Sequence, residues 1–195
     1  MTTKKKYSIN MVRPKKSLGQ NWLDNPRILD KLISAAEINS NDIVIEVGPG
    51  TGNLTEKLAQ KVRSTSSGQA GTVIAIEKDH RLIEILKEKF KNQANIKIVE
   101  ADVLKFNIQD SKFKILDSRF KVVGNIPYYI TSNLLRVISE KWPKPELTVL
   151  TIQKEVAQRI LAKPPHMNLL ALSVQYYAKP EIVSYVSKNN FQPVP

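Results

Sequence analysis

The amino-acid sequence predicts an α/β fold: a largely parallel β-sheet covered by helices on both faces, with an antiparallel hairpin at one edge. Three observations lead there. Short apolar runs alternate with amphipathic stretches from Asn25 to Leu161, the pattern of strands joined by crossover helices. Three glycines, Gly48, Gly50 and Gly52, stand just after the first apolar run, where doubly wound sheets keep their ligand turn. The last two β-like runs, Leu172–Tyr177 and Ile182–Val186, are separated only by Ala178-Lys179-Pro180-Glu181, a connection that suits an antiparallel edge pair.

The elements follow in order. Asn25 and Pro26 read as the cap and first turn of a helix whose apolar face is Ile28, Leu29, Leu32 and Ile33. Ile43–Val47 reads as a strand and Leu54–Val62 as a helix, then Thr72–Ile76 and His80–Phe90 repeat the pair. Ile96–Val99 and Phe120–Val123 are further strands, followed by a helix near Ser132–Ser139, a strand at Leu147–Ile152 and a helix at Lys154–Leu161. Arg63–Gly71 is rich in Ser and Gly and reads as a flexible surface loop. Residues 1–16 carry Lys4, Lys5, Lys6, Arg13, Lys15 and Lys16 and form a basic arm, suited to phosphate contact or simply solvated. Residues 17–195 make one domain, with no internal repeat and no linker.

Composition excludes several functions. The 195 residues contain no cysteine and only two histidines, His80 and His166, so disulfides, thiolate metal sites and histidine metal sites are not expected. No apolar run is long enough to span a bilayer, and no secretory core follows the charged start. A cytoplasmic protein without membrane or metal partner is the expectation. The net charge of +12, from 30 Lys and Arg against 18 Asp and Glu, suits a polyanion, RNA or DNA ahead of an anionic membrane.

The chemistry-bearing residues stand at the expected strand ends. Glu46-Val47-Gly48-Pro49-Gly50-Thr51-Gly52-Asn53 lets a ligand approach the backbone closely. The dinucleotide fingerprint needs a glycine where Asn53 stands, so a dehydrogenase is disfavoured. Glu77 ends the second strand, where a carboxylate can accept hydrogen bonds from ribose hydroxyls, and Asp102 follows the third, placed to accept from an adenine amino group. Asn125-Ile126-Pro127-Tyr128 closes the fourth. An amide oxygen and a turn carbonyl there could draw a planar amino nitrogen toward tetrahedral geometry while the Tyr128 ring stacks on its base. The same four residues would also serve as a strand, a proline turn and a half-buried tyrosine.

In combination these residues resemble S-adenosylmethionine-dependent methyltransferases, and more narrowly the rRNA adenine N6-dimethyltransferases of the small ribosomal subunit. The resemblance rests on Glu-Val-Gly-Pro-Gly-Thr-Gly (46–52), Ile-Glu-Lys-Asp (76–79), Ala-Asp-Val-Leu (101–104) and Asn-Ile-Pro-Tyr (125–128). Lys-Ser-Leu-Gly-Gln-Asn-Trp-Leu (16–23), Ile-Gln-Lys-Glu-Val-Ala-Gln-Arg (152–159) and Phe-Gln-Pro-Val-Pro (191–195) extend it over nearly the whole chain. Trp22 stands where the family usually has Phe, and Ala162–Leu170 departs from its usual Gly- and Tyr-containing segment. The family continues into a small helical domain after the point where this chain ends at Pro195.

The resemblance implies a Rossmann-like class I methyltransferase fold with a seven-stranded sheet. It implies that Gln20, Asn21, Leu23, Gly48, Gly50, Glu77, Lys78, Asp102, Val103 and Asn125 surround S-adenosylmethionine. Asn125 and the Ile126 carbonyl would polarise the amino group, Pro127 would shape the turn, and Tyr128 and Phe191 would sandwich a flipped adenine. The implied partner is small-subunit rRNA or a pre-30S particle, met by a monomer. Related readings stay open: a 23S rRNA adenine methyltransferase of the macrolide-resistance type, a mitochondrial-type relative acting in transcription, and a non-catalytic RNA-binding assembly factor.

Overall fold

The computed structural model describes residues 12–63, 71–109, 115 and 119–195. Most of the basic arm and the interior of the Arg63–Gly71 loop lie outside the described residues. Five strands form one parallel sheet: β2 (Ile43–Val47), β3 (Thr72–Glu77), β4 (Ile96–Glu100), β5 (Phe120–Asn125) and β6 (Leu147–Thr151), in the order β4-β3-β2-β5-β6. Two short strands, β1 (Trp22–Leu23) and β7 (Phe191–Gln192), pair antiparallel beside it, Leu23 opposite Phe191. Among the described residues the strands number seven, divided five and two.

Alternation along the strands sends neighbours to opposite faces. Val44, Val73 and Val123 join a core with Leu29 and Ile33 of α1 (Pro26–Ala35), Leu54 and Leu58 of α2 (Asn53–Lys61), and Leu82 and Leu86 of α3 (His80–Lys89). Ile45, Ile74 and Val122 face the other way, toward Leu134, Val137 and Ile138 of α4 (Thr131–Glu140) and toward Trp142. These positions are fully shielded on both sides of the sheet, which is why the strands read as nearly continuous apolar runs. Helix α1 starts as its sequence predicts, with Asn25 Oδ1 accepting from the Arg27 amide at 3.0 Å and Pro26 in the first turn.

The edge hairpin expected from Leu172–Tyr177 and Ile182–Val186 does not form. Residues Leu169–Tyr177 are helix α6, packed on α5 (Lys154–Ile160) and α4. Its cap is Asn168, whose Oδ1 accepts from the Ala171 amide at 3.1 Å. Ala171 and Val174, three residues apart, are its buried pair, and Gln175 Nε2 donates to the carbonyls of Ile160 and Ala162 at the end of α5. The β-prone Val, Tyr and Tyr were overridden by a cap and a helical burial spacing. Ile182–Val186 forms no strand, and Ile182, Val183 and Tyr185 are exposed. The antiparallel pair is β1 with β7 instead.

One charge is buried at the far end of the sheet from the glycine turn. Lys121 of β5 is 3% exposed, with its Nζ 2.9 Å from Asp42 Oδ2 and donating to the Glu37 carbonyl. Glu37 has φ of 49° just past α1, so the lysine also ties down a left-handed residue. Removing one partner of such a pair costs about 3 kcal/mol, because the other charge stays buried. Asp42→Ala is expected to lose about that much in urea unfolding. The double variant Asp42→Ala/Lys121→Met should recover most of the loss.

Candidate active site

In a doubly wound sheet the ligand crevice opens where successive connections turn to opposite sides. Here that point lies between β2 and β5. A cavity of about 120 Å³ occupies it. Its wall takes Gly48 and Gly50 after β2, Glu77 and Lys78 at the end of β3, Asp102 and Val103 after β4, and Asn125, Ile126, Pro127 and Tyr128 at the end of β5. Gln20, Asn21 and Trp22 enter from the chain before α1, and Phe191 from β7. Parallel register brings these ends level: Val47 is opposite both Ile76 and Gly124. Three hydrogen bonds carry the ladder one step into the loops, Gly48 N to Ile76 O at 3.0 Å, Ala101 N to Glu77 O at 2.9 Å and Ile126 N to Thr151 O at 3.1 Å.

The glycine turn is held open by its backbone. Gly48 and Gly50 have φ of 67° and 56°, values that favour glycine. A Cβ on Gly50 would also come within 3.0 Å of the Trp22 ring. The Gly50 amide points at Glu77, donating to Oε2 at 3.3 Å, while the Lys78 and Asp79 amides donate to Oε1 at 2.8 Å each. Burial pushes the Glu77 carboxyl up, against the pull of these three amides. They fix its orientation at the cavity wall.

Asp102 Oδ2 receives the Lys78 ammonium at 2.9 Å and Oδ1 receives the Leu104 amide at 3.1 Å. Partial burial raises its carboxyl, but the Lys78 and Leu104 bonds outweigh it and the net displacement is downward. Asn125 donates through Nδ2 to the Asn21 carbonyl at 2.8 Å. Its Oδ1 accepts nothing from the described residues. In the adjoining turn the Pro127 carbonyl accepts from the Ile130 amide at 3.2 Å, whereas that of Ile126 accepts no bond among the described residues. Two acceptors are thus open beside Tyr128. Burial, then the nearby Glu155 charge, push the Tyr128 phenol up, so it stays neutral.

The chain before α1 forms a strap over the cavity. Gln20 lines the wall, but both ends of its amide are spent on anchorage: Oε1 accepts from the Lys15 amide at 2.7 Å and Nε2 donates to Asp79 Oδ2 at 2.8 Å. Arg81 grips the same carboxylate, with Nε 2.9 Å from Oδ1 and Nη2 2.6 Å from Oδ2. The guanidinium brings the Asp79 carboxyl down to about 2. Asn21, with its amide nitrogen turned to them, donates to the carbonyls of Pro193 at 3.1 Å and Gln20 at 3.3 Å. Leu23 is the one predicted site residue away from the cavity wall. Alternation along β1 turns it into the core and toward a smaller neighbouring cavity, while Trp22 takes the wall. Phe191 lines the cavity and is also buried in that core.

The site also takes residues to which the sequence assigned no role. Trp22 and Tyr129 line the cavity, and Glu46 backs the glycine turn from the smaller one. Glu46 is 1% exposed and neither carboxylate oxygen has a hydrogen-bond partner among the described residues. Its signal was legible: a lone acid inside Ile-Val-Ile-Glu-Val. Burial first, with the Glu77 charge adding, raises its carboxyl from 4.5 to about 8; the nearby Thr55 hydroxyl pulls down without meeting hydrogen-bond geometry. Between those values the folded protein keeps a proton that the unfolded chain has lost. The stability this confers is complete below pH 4.5 and is lost as pH rises through about 8. Glu46→Gln, neutral at every pH, should melt with the wild type at pH 5 and several degrees above it at pH 8.5. Circular-dichroism melts of the ligand-free protein across that range check it.

A parallel sheet with a glycine turn after its first strand, acids after the next two and a cavity at the crossover point defines a class I methyltransferase fold. The family model for ribosomal RNA adenine dimethylase matches residues 11–195, and the chain belongs to that family. It is 43% identical over 184 residues to the ribosomal RNA small subunit methyltransferase A of Dehalococcoides mccartyi strain CBDB1, covering 94% of this chain and 60% of that protein. The protein of the same name from Streptococcus thermophilus strain LMD-9 is 42% identical over 186 residues, covering 93% and 61%. The chain thus spans about three fifths of the length of these curated relatives. Among solved structures it is similar to a dimethyladenosine transferase from Plasmodium falciparum, with 35% identity and a TM-score of 0.73 over 89% of this chain and 58% of that one. It is also similar to the 23S rRNA methyltransferase ErmE, with 29% identity and a TM-score of 0.70 over 90% and 65%. Among the described residues no helix is long and apolar enough to cross a membrane, and no group of three acids or histidines could hold a metal ion.

Proposed function

We propose that this chain transfers methyl groups from S-adenosylmethionine to the N6 of adenines in small-subunit rRNA, dimethylating adjacent adenosines near the 3′ end of a 16S-type molecule. The observation that carries the reading is the fixed Asn125 amide. Asn21 holds its nitrogen, so its oxygen is offered to the cavity beside the free Ile126 carbonyl and the Tyr128 ring. Adenine N6 is a weak nucleophile because its lone pair is delocalised into the ring. Two acceptors on its protons favour the geometry in which that lone pair becomes available.

The wall fits the cofactor by donor type. Gly48 and Gly50 leave room at the turn, Asn21 and Gln20 close the strap side, and Glu77 offers acceptors suited to ribose hydroxyls. Lys78 and Val103 line the same wall, where Asp102 can accept from an adenine amino group. Bound there, S-adenosylmethionine supplies an electrophilic methyl group. The chain's own residues position the acceptor. Tyr128 stacks on the target base and Phe191 closes the opposite side, with the base extruded from its neighbours at a cost of a few kcal/mol. No residue has to act as a strong base: after transfer the N6 nitrogen sheds its proton to water, and Tyr128 stays neutral throughout.

Curated relatives named for the small subunit favour that RNA over the 23S target of ErmE. The working form is a cytoplasmic monomer acting on the RNA or a precursor particle. Asn125→Ala should leave cofactor affinity within about threefold in calorimetry. Tritiated methyl transfer to unmodified small subunits should fall at least 100-fold, the scale of losing one aligned acceptor. Unchanged transfer by that variant would sink the mechanism. Transfer by the wild type to large subunits alone would sink the assigned substrate.

A further inference from the structure

A second aromatic ring stands at the cavity mouth, and the chemistry above makes no use of it. Tyr129 follows Tyr128 in the single turn Tyr128–Ile130. Both rings line the cavity, but Tyr129 is 58% exposed. The strap passes beside it at Gly19, where an added Cβ would lie 3.2 Å from Tyr129 Cδ1 and 3.5 Å from the Pro127 ring carbon. The absence of a side chain at Gly19 thus leaves room for the ring, and much of its surface is open to solvent. Its hydroxyl makes no hydrogen bond among the described residues.

The surroundings are cationic. Lys15 and Lys16 are exposed on the same strap, and the exposed Lys78 ammonium lies within electrostatic reach of the phenol. An exposed aromatic ring beside a strap that carries lysines is the composition of a single-strand nucleic-acid platform, where each base stacks on a ring and the backbone meets cations. The step also meets a need of the reaction. When one base leaves its stack, its neighbour exposes a face to water. A platform beside the entrance covers that face.

We propose that Tyr129 binds substrate directly, stacking on the nucleobase adjacent to the adenine that enters the cavity, while Lys15 and Lys16 meet the flanking phosphates. The inference rests on the adenine-methylation reading. It names the contact that makes the chain read two consecutive nucleotides, one on Tyr128 and the next on Tyr129.

The test uses a short single-stranded RNA carrying 2-aminopurine either at the target adenine or at its neighbour, with S-adenosylhomocysteine present. Wild type should quench both probes. Tyr129→Ala should keep the response at the target position, lose it at the neighbour, and bind the RNA roughly tenfold more weakly. Tyr129→Phe and Tyr129→Trp should retain both responses, which a role confined to the hydroxyl or to the strap would not give. An RNA abasic at the neighbour should bind wild type and Tyr129→Ala equally. Neighbour quenching that survives in Tyr129→Ala would overturn the proposal. So would a loss of S-adenosylhomocysteine affinity matching the loss of RNA affinity, since the ring would then be a cover for the cofactor. Absence of a target-position response in wild type would instead remove the underlying reading, and this proposal with it.

Discussion

Parallel register is the constraint on which the rest hangs. Val47 stands opposite Ile76 and Gly124, and Asn125 opposite Thr151, so four connections leave the sheet along one line. Residues separated by 77 positions, Gly48 and Asn125, meet at one cavity only because their strands end level. A slip of one residue would turn Glu77 from the cavity into the core. The shielded valines and isoleucines on both faces oppose such a slip, since each would have to exchange sides. Core packing and site geometry are thus the same restraint, seen from the middle of the strands and from their ends.

The strap completes what the sheet begins. It is attached to the Asp79 carboxylate through Gln20, to the Asn125 amide through the Asn21 carbonyl, and to β7 through Leu23. Each attachment also orients a site group. The bond that steadies the strap at Asn21 is the one that turns the Asn125 oxygen outward. Electrostatics follow the same division. Asp79, an anchoring group, is held ionised by Arg81, while Glu46, with no partner, is held neutral by burial well above the usual carboxylate range. One acid reinforces the ligand-free fold around neutral pH and the other loads it.

Much of this was legible in the chain, for reasons that differ by element. Strand β2 was readable to the residue because five apolar or buried positions are bounded by Asp42 and Gly48. Helix α1 was readable because Asn25 and Pro26 announce it. Leu172–Tyr177 was misread because Leu, Val and Tyr suit a pleated sheet as well as a helix. The deciding residues, Asn168 as cap and Gln175 bonded to the end of α5, act through contacts that composition does not display. The family resemblance points Leu23 at the cofactor, and alternation in a two-residue strand turns its side chain into the core while Trp22 takes the cavity wall.

By itself the sequence determined the order of elements from α1 to α5 within the parallel sheet, the turn that had to be glycine, the acids at the strand ends and the Asn-Ile-Pro-Tyr loop. These are local matters: dihedral limits, periodicity and residue chemistry are written at or near the position they govern. Tertiary structure alone decided which groups remain free. That Gln20 is spent on Asp79, that Asn125 offers its oxygen and not its nitrogen, that Glu46 has no partner among the described residues, and that Tyr129 keeps an open surface all depend on atoms distant along the chain. A hydrogen bond is satisfied or left open by whatever the fold brings to it, and no local pattern contains that answer.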